Sequence, residues 1–441
     1  MEFPLRSTPV WFRRSLLGLS AIGLVGVYAC STGKPVVFHS TPGVGGAGGM
    51  GGNGQSSGTD GLTLAGGLGG SSASGSLCDS GENDDADKDG FTPKQGDCND
   101  CDPNVNPNAV EVIGTADGQG GAGGYVPSDE NCDGMADEAP LPCDAALLID
   151  STNAMDEARA IGLCKQSKGP NDWGVIGAEW TNLDQTLPPQ NPNYALGHGI
   201  LPAFGPNVKV QEGMKMLALS SGTARQPSDV GYQSVGGFSK GYSTPQPKGQ
   251  FPKESKTCPF ATTGNANDGA SVTIKLRTPS NAQGFRFNFN FFTYEWPNYV
   301  CSMFNDFFVA MLDPVPMGLV DGNISFDKNG DPVSVNNAFL EVCGCFSGPP
   351  CTAGQKSFSC ALGNTGLVGT GFGQDTAFSD HASSGWLETQ APILPNTEIT
   401  LQFAVSDSGD GVLDTSVLVD NFRWVAEPGT TVTTNTVPNP K

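Results

Sequence analysis

Phe285, Phe287, Phe289 and Phe291 alternate with Arg286, Asn288 and Asn290, the period-two pattern of a strand with one buried face. Continued alternation brings Glu295 to the Phe side just before Pro297 stops the ladder. A second apolar run at 304–312 carries Asn305 and Asp306 inside it, so the two runs predict an aromatic strand pair with acids among its rings. Acids in such surroundings are either satisfied by a partner or kept for a task. Further strands are expected at 172–183, 213–224, 271–279, 324–326, 398–407 and 415–424. The 271–279 strand runs through a turn at 281–284 into the Phe strand. Met155, Ala158, Ile161 and Leu163 fall near helical spacing, and Gly169-Pro170-Asn171-Asp172 breaks that helix. Many strands with regular turns and one early helix predict a mostly β chain: a jelly-roll-like β-sandwich over 143–426, with 427–441 disordered.

The N-terminal third reads differently. Arg6, Arg13 and Arg14 precede an apolar stretch at 15–29, too short to span a bilayer comfortably, so 1–29 is expected to be an export signal. It ends Val27-Tyr28-Ala29-Cys30, which resembles a lipoprotein cleavage box with Cys30 as the lipidated residue. Cleavage near Ala29 that leaves a free Cys30 is the alternative. Residues 30–77 are rich in Gly and Ser and lack the side chains for a core, so they are expected to be a flexible tether. Beyond Cys30, 12 of the 13 cysteines remain, an even number that suits disulfides in an oxidising compartment. The expected location is therefore the outer membrane or cell surface, with the lipid as the only membrane contact. A formal net charge of −22 argues against nucleic acid as a partner.

More than half of that charge sits in one block. From Asp79 to Glu138 there are twelve Asp and four Glu against two Lys, a net −14. Asp85, Asp87 and Asp89 occupy positions 1, 3 and 5 of a loop with Gly90 at position 6. Asp129, Asn131 and Asp133 repeat the pattern before Gly134, with Asp137 at position 9. Alternate residues in a tight loop turn inward, and hard oxygen ligands favour calcium. Neither copy has Glu at position 12, so neither is a true EF-hand; Asp97, Asp100 or Asp102 is available to complete the first shell.

The segments at 87–91, 96–100, 102–111 and 129–138 resemble the MopE-type metal-binding motif of secreted bacterial proteins. That family takes its name from a protein that binds copper through His and an oxidised Trp. Residues 78–142 contain neither, so the copper chemistry does not carry over. The resemblance implies a Cys98–Cys132 bridge closing the two loops together. A merely solvated acidic linker is the bland alternative.

The segments 291–312, 334–339 and 385–422 together resemble the choice-of-anchor L domain, a module of bacterial surface proteins, over roughly 145–426. Within it Glu295, Asn305, Asp306, Asp407, Asp410 and Asp414 sit at the family's usual polar positions. The resemblance implies surface display and transfers no catalytic residues. Asp407, Asp410 and Asp414 lie in one tight turn, and with Glu295 and Asp306 they form a second candidate metal site; ordinary turn work by Asp and Gly is the alternative.

Enzymatic chemistry has little to build on. Only His198 and His381 lie in folded regions, and His198, between two glycines, reads as a structural turn residue. Ser220-Ser221-Gly222 is not a nucleophile elbow. A glycosidase carboxylate pair drawn from Glu179, Glu295 and Asp306 has no spacing in its favour. Trp180, Trp296, Trp386 and Trp424 are candidates for sugar stacking, though core positions are expected for most. The expectation is a non-enzymatic surface lipoprotein with a structural Ca2+ module and an adhesion or binding sandwich for a glycan or protein ligand. A carbohydrate-binding module or glycan hydrolase, and a structural envelope component, are the alternatives.

Overall fold

The apolar runs become strands in two antiparallel sheets that share one core. The structure is a computed structural model; it describes residues 80–113, 127–249, 251–259, 261, 264–336, 339–344, 348–373 and 381–441. The leader, Cys30 and the tether lie outside the described residues, as do Cys78 and Cys345. No helix among the described residues is long and apolar enough to cross a membrane.

Helix α1 (Ala154–Ala160) is capped by Asn153, whose side chain accepts from Met155 N. Strands β1 (Gly174–Trp180), β2 (His198–Leu201), β3 (Ala203–Phe204), β4 (Val208–Lys209), β5 (Met216–Ser220) and β6 (Ser243–Thr244) follow. The long strands β7 (Ala266–Arg277), β8 (Gly284–Thr293) and β9 (Phe307–Asp313) then build the centre. Short strands β10 (Val333–Ser334), β11 (Val342–Cys343), β12 (Cys351–Ala353) and β13 (Lys356–Phe358) lie in the Cys-rich stretch. The chain closes with β14 (Ala382–Pro392), β15 (Glu398–Ser408), β16 (Thr415–Val425) and β17 (Thr433–Thr436).

One sheet has the order β1-β7-β15-β9-β10, with β6 on β7; the other runs β11-β14-β8-β16-β5-β2, with β17 on β14. The chain alternates between them: β7 to β8 to β9, then β14 to β15 to β16. This is the jelly-roll-like sandwich that the strand pattern predicts. The 281–284 turn carries the chain from one sheet to the other. The two aromatic runs are likewise not a hydrogen-bonded pair. They face each other across the core, with Phe289 4.8 Å from Phe308, and Phe287 meets Phe403 of β15 at 4.9 Å. Burying a ring of this kind is worth about 1.5–3 kcal/mol.

Alternation predicts a polar outer face for β8, yet Asn288 and Asn290 are buried as well. A second apolar cluster, including Phe204, Met216, Phe292, Phe372 and Trp386, covers that face. The C-terminal segment also departs from expectation. Residues 433–436 pair with 387–390 of β14, because alternating Thr side chains suit an edge strand and Thr434 Oγ1 meets Thr389 Oγ1 at 2.8 Å. Among the described residues, disulfides join Cys98–Cys132, Cys143–Cys164, Cys258–Cys301 and Cys343–Cys360.

Candidate functional site

The two acidic loops repeat in backbone as well as in sequence. Residues at positions 4 and 6 take positive φ in both: Lys88 and Gly90 in the first, Cys132 and Gly134 in the second. Position 6 suits Gly because φ near +100° and +92° disfavours a side chain there. The side-chain hydrogen bonds repeat too. Asp85 Oδ2 accepts from Gly90 N at 3.1 Å, and Asp129 Oδ2 from Gly134 N at 2.9 Å. Asp87 and Asn131 each accept from the residue two ahead, as do Asp89 and Asp133.

In the first loop Asp85 accepts through both oxygens, whereas Asp87 and Asp89 each use one and leave the other buried. Asp97 Oδ1 accepts from Asn99 N, and Asp100 Oδ1 from Ala86 N. The second oxygens of Asp87, Asp89, Asp97 and Asp100 are buried and accept no hydrogen bond. Their residues fall, with Asp85, in two triads that share Asp87, namely Asp85–Asp87–Asp100 and Asp87–Asp89–Asp97, each with one oxygen per residue within 4.8 Å of the others. Burial, then mutual repulsion, raises the pKa of Asp87, Asp89 and Asp97 against their hydrogen bonds. Asp102 instead caps its own turn through Asn104.

The second loop assembles a different set from the one its repeat suggests. Its converging carboxylates are Glu111, Glu130 and Asp137. Glu111 accepts from Asn131 N at 3.0 Å and from Asp137 N at 2.9 Å, and Glu130 accepts from Val112 N at 3.0 Å. Glu111 lies outside the loop pattern, so spacing within the loop gave no signal for it. The Cys98–Cys132 bridge, Cα to Cα 5.6 Å, ties the residue after Asp97 to position 4 of the second loop.

Asn106 connects this module to the sandwich. Its side chain is fully buried and reaches Asp89. Its Oδ1 accepts from Ser280 Oγ at 2.8 Å, and its backbone N–H donates to Glu130 O. Asn281, in the turn between β7 and β8, both donates to and accepts from the backbone of Val110. The acidic module is therefore hydrogen-bonded to the strand connection that precedes the Phe strand.

The sandwich gathers its own acids where strands of both sheets end. Glu295 follows β8, Asp306 precedes β9, Asp407 lies near the end of β15 and Asp414 precedes β16. All four are at most 2% exposed. Asp306 Oδ1 accepts from Ser408 N at 2.9 Å, and its Oδ2 from Thr415 Oγ1 at 2.6 Å, so it staples β15 to β16. Glu295 Oε2 lies 3.5 Å from Asp306 N. Asp414 packs over Gly222, where a Cβ would stand 1.8 Å from Oδ2. Burial pushes Asp306 up to about 7 and holds Glu295, Asp407 and Asp414 well above the carboxylate range, with repulsion within the group adding to it. Lys240, fully buried, donates to Ser220 O at 2.8 Å and is brought down to about 8 by burial, with Asp268, Asp407 and Asp414 opposing. Asp410 is exposed on the loop and does not join the buried group.

The histidines occupy other sites. His198 lies in a strand rather than a turn: it opens β2, buried, with Nδ1 3.0 Å from Glu157 Oε1 and its ring stacked on Trp180 at 4.2 Å. His381 Nδ1 lies 3.0 Å from Trp296 O. Trp296 and Trp386 are core residues, whereas Trp180 and Trp424 are half-buried. Glu179 is exposed on edge strand β1, apart from the buried acids.

No curated protein matches the chain. Residues 206–422, which hold β4 to β15, most of β16 and all four buried acids of the sandwich, match the family model described as Choice-of-anchor L domain.

Proposed function

We propose that this chain is a surface-displayed, non-enzymatic binding protein whose acidic module is clamped by structural calcium. Surface association is supported by the match of residues 206–422 to the Choice-of-anchor L domain. The observation that carries the calcium reading is that Asp87, Asp89, Asp97 and Asp100 each bury one oxygen that accepts no hydrogen bond, on carboxylates gathered in two triads that share Asp87. Unpaired buried carboxylates at this density repel one another, and a hard divalent ion satisfies several at once. Asp87, common to both triads, would ligate in either. Glu111, Glu130 and Asp137 would hold an ion in the second loop. In this reading calcium does no chemistry; it orders the module that is hydrogen-bonded to Ser280 and Asn281. The lipid at Cys30 and the outer-membrane location belong to the same proposal, as does adhesion through a glycan or protein ligand.

Thermal unfolding of the full secreted chain, with calcium and then with excess chelator, tests this. An ion at a hundredfold its dissociation constant stabilises the state that binds it by about 2.7 kcal/mol. The melting temperature should drop on chelation and return when calcium is restored. An unchanged melt, with no calcium found by elemental analysis, sinks the proposal.

Ligand binding by the sandwich has one observation in its favour. A cleft of about 1020 Å³ runs between the module and the sandwich, with Trp173, Trp424, Arg286 and Gln390 in its wall. Trp173 and Trp424 meet edge to face at 6.4 Å. Flat apolar rings beside planar polar groups suit a glycan or an extended peptide. A glycan array on the full chain separates the two: a specific glycan supports the first, and silence favours a protein ligand.

A further inference from the structure

The wall of the cleft between module and sandwich carries charges of both signs, and nearly all of them are already engaged. Glu111, Asp133, Glu138 and Asp144 accept N–H groups within the fold. Glu212 takes Arg423 Nη2 at 2.5 Å, while Arg159 holds Asp156 at 2.8 Å and Lys165 holds Asp172 at 3.0 Å. Glu427 is exposed beyond the end of β16. Arg286 remains. It is exposed, and among the described residues it has neither an ion pair nor a side-chain hydrogen bond.

Its place in the sheet adds to this. Arg286 on β8 stands directly opposite Gln390 on β14 and opposite Arg423 on β16, so the three side chains form one row on one face. Like charges set opposite each other destabilise a sheet. Glu212 neutralises Arg423 and leaves Arg286 uncompensated, in a chain whose formal net charge is −22. An anion from outside would relieve that repulsion. The guanidinium fork matches a carboxylate, which it grips through two parallel hydrogen bonds.

Two observations favour a glycan over an acidic peptide. A strand spacing of about 4.8 Å sets Gln390, Arg286 and Arg423 at a step comparable to one pyranose ring, in the same wall as Trp173 and Trp424. An extended peptide would instead dock through main-chain hydrogen bonds to a strand edge. Here β17 covers β14 along 387–390, and Phe422 of β16 donates its N–H to Ile161 O.

We propose that the cleft takes a carboxylate-bearing glycan of the uronic acid class, with Arg286 gripping the carboxylate and Gln390 and Arg423 bonding hydroxyls on either side. This rests on the reading of the cleft as a ligand site. Recognition through an ionic contact weakens as salt is added.

The test is an array of uronate glycans, each printed beside its carboxyl-reduced neutral counterpart, with acidic peptides on the same slide, probed with the full secreted chain in calcium. The uronate members should bind and their neutral counterparts should not. Arg286→Gln should lower the affinity about tenfold or more, the worth of one hydrogen bond to a charged group, and Arg286→Lys should recover part of it. Melting temperatures close to wild type check that both variants fold. Equal binding of acidic and neutral members, or of neutral members alone, overturns the proposal and leaves the glycan reading of the cleft standing. Uronate binding that Arg286→Gln leaves unchanged also overturns it, by placing the ligand elsewhere. Binding to acidic peptides alone, or silence throughout, overturns the proposal together with the glycan reading.

Discussion

At the scale of single residues, Asn106 joins the acidic module to the sandwich. It touches a proposed calcium ligand, Asp89, and the sandwich residue Ser280 from one fully buried side chain. Each buried group stranded by its removal costs about 1–3 kcal/mol. Asn106→Ala should weaken calcium binding and speed proteolysis of the 127–142 segment together; both unchanged would mean that Asn106 merely fills space. Asp420 gives a pH prediction away from the cation sites. Burial raises its carboxyl to about 7, outweighing the N–H groups of Gln211, Asn421 and Glu212 that it accepts from. An acid raised in the fold binds its proton more tightly there than in the unfolded chain, so its contribution is lost as pH rises from about 4 to about 7. Asp420→Asn should make the fall in stability across that window shallower. Denaturant midpoints at pH 5 and pH 7.5 measure it, and an unaltered slope refutes it. None of these connections is visible as spacing: Asn106 lies far from Ser280 in sequence, and Asp420 is satisfied from a distant loop.

Among the elements, β8 was the most legible. Its alternating Phe residues have one physical explanation, a strand facing a core, and the side chains of Phe285, Phe287, Phe289 and Phe291 are all fully buried. Phe287 packs against Phe403 of the opposite sheet, so Phe287→Ala should cost about 3–5 kcal/mol in a denaturant melt. A loss below about 1 kcal/mol would mean that the two sheets do not meet there. Pairing was not legible, because an apolar period gives the buried face and not the partner. Sheet membership depends on turns such as 281–284, whose direction is set by the module and β16 around it: Asn281 bonds to Val110, and Gln283 N donates to Val425 O. The outer cover over Asn288 and Asn290 was hidden for the same reason. Its residues come from as far apart as Leu201 and Leu418, and no single stretch carries the pattern. The acid cluster was half legible. Glu295 and Asp306 stood out among aromatics, and the turn at 407–414 advertised its acids, but Lys240 and Gly222 had no local sign of their part.

For the whole molecule, calcium is the proposed link between a charge-rich module and an apolar sandwich. In the first loop the acids that come together are those at alternate positions, since loop geometry is local. In the second, Glu111 and Glu130 join Asp137, and Glu111 arrives from outside the loop, where spacing gives no sign of it. The most direct measurement is anomalous difference density from crystals grown in calcium. The account predicts a peak bounded by Asp87, Asp89 and Asp97. Ordered loops with the four inward oxygens in place and no peak among them would contradict it.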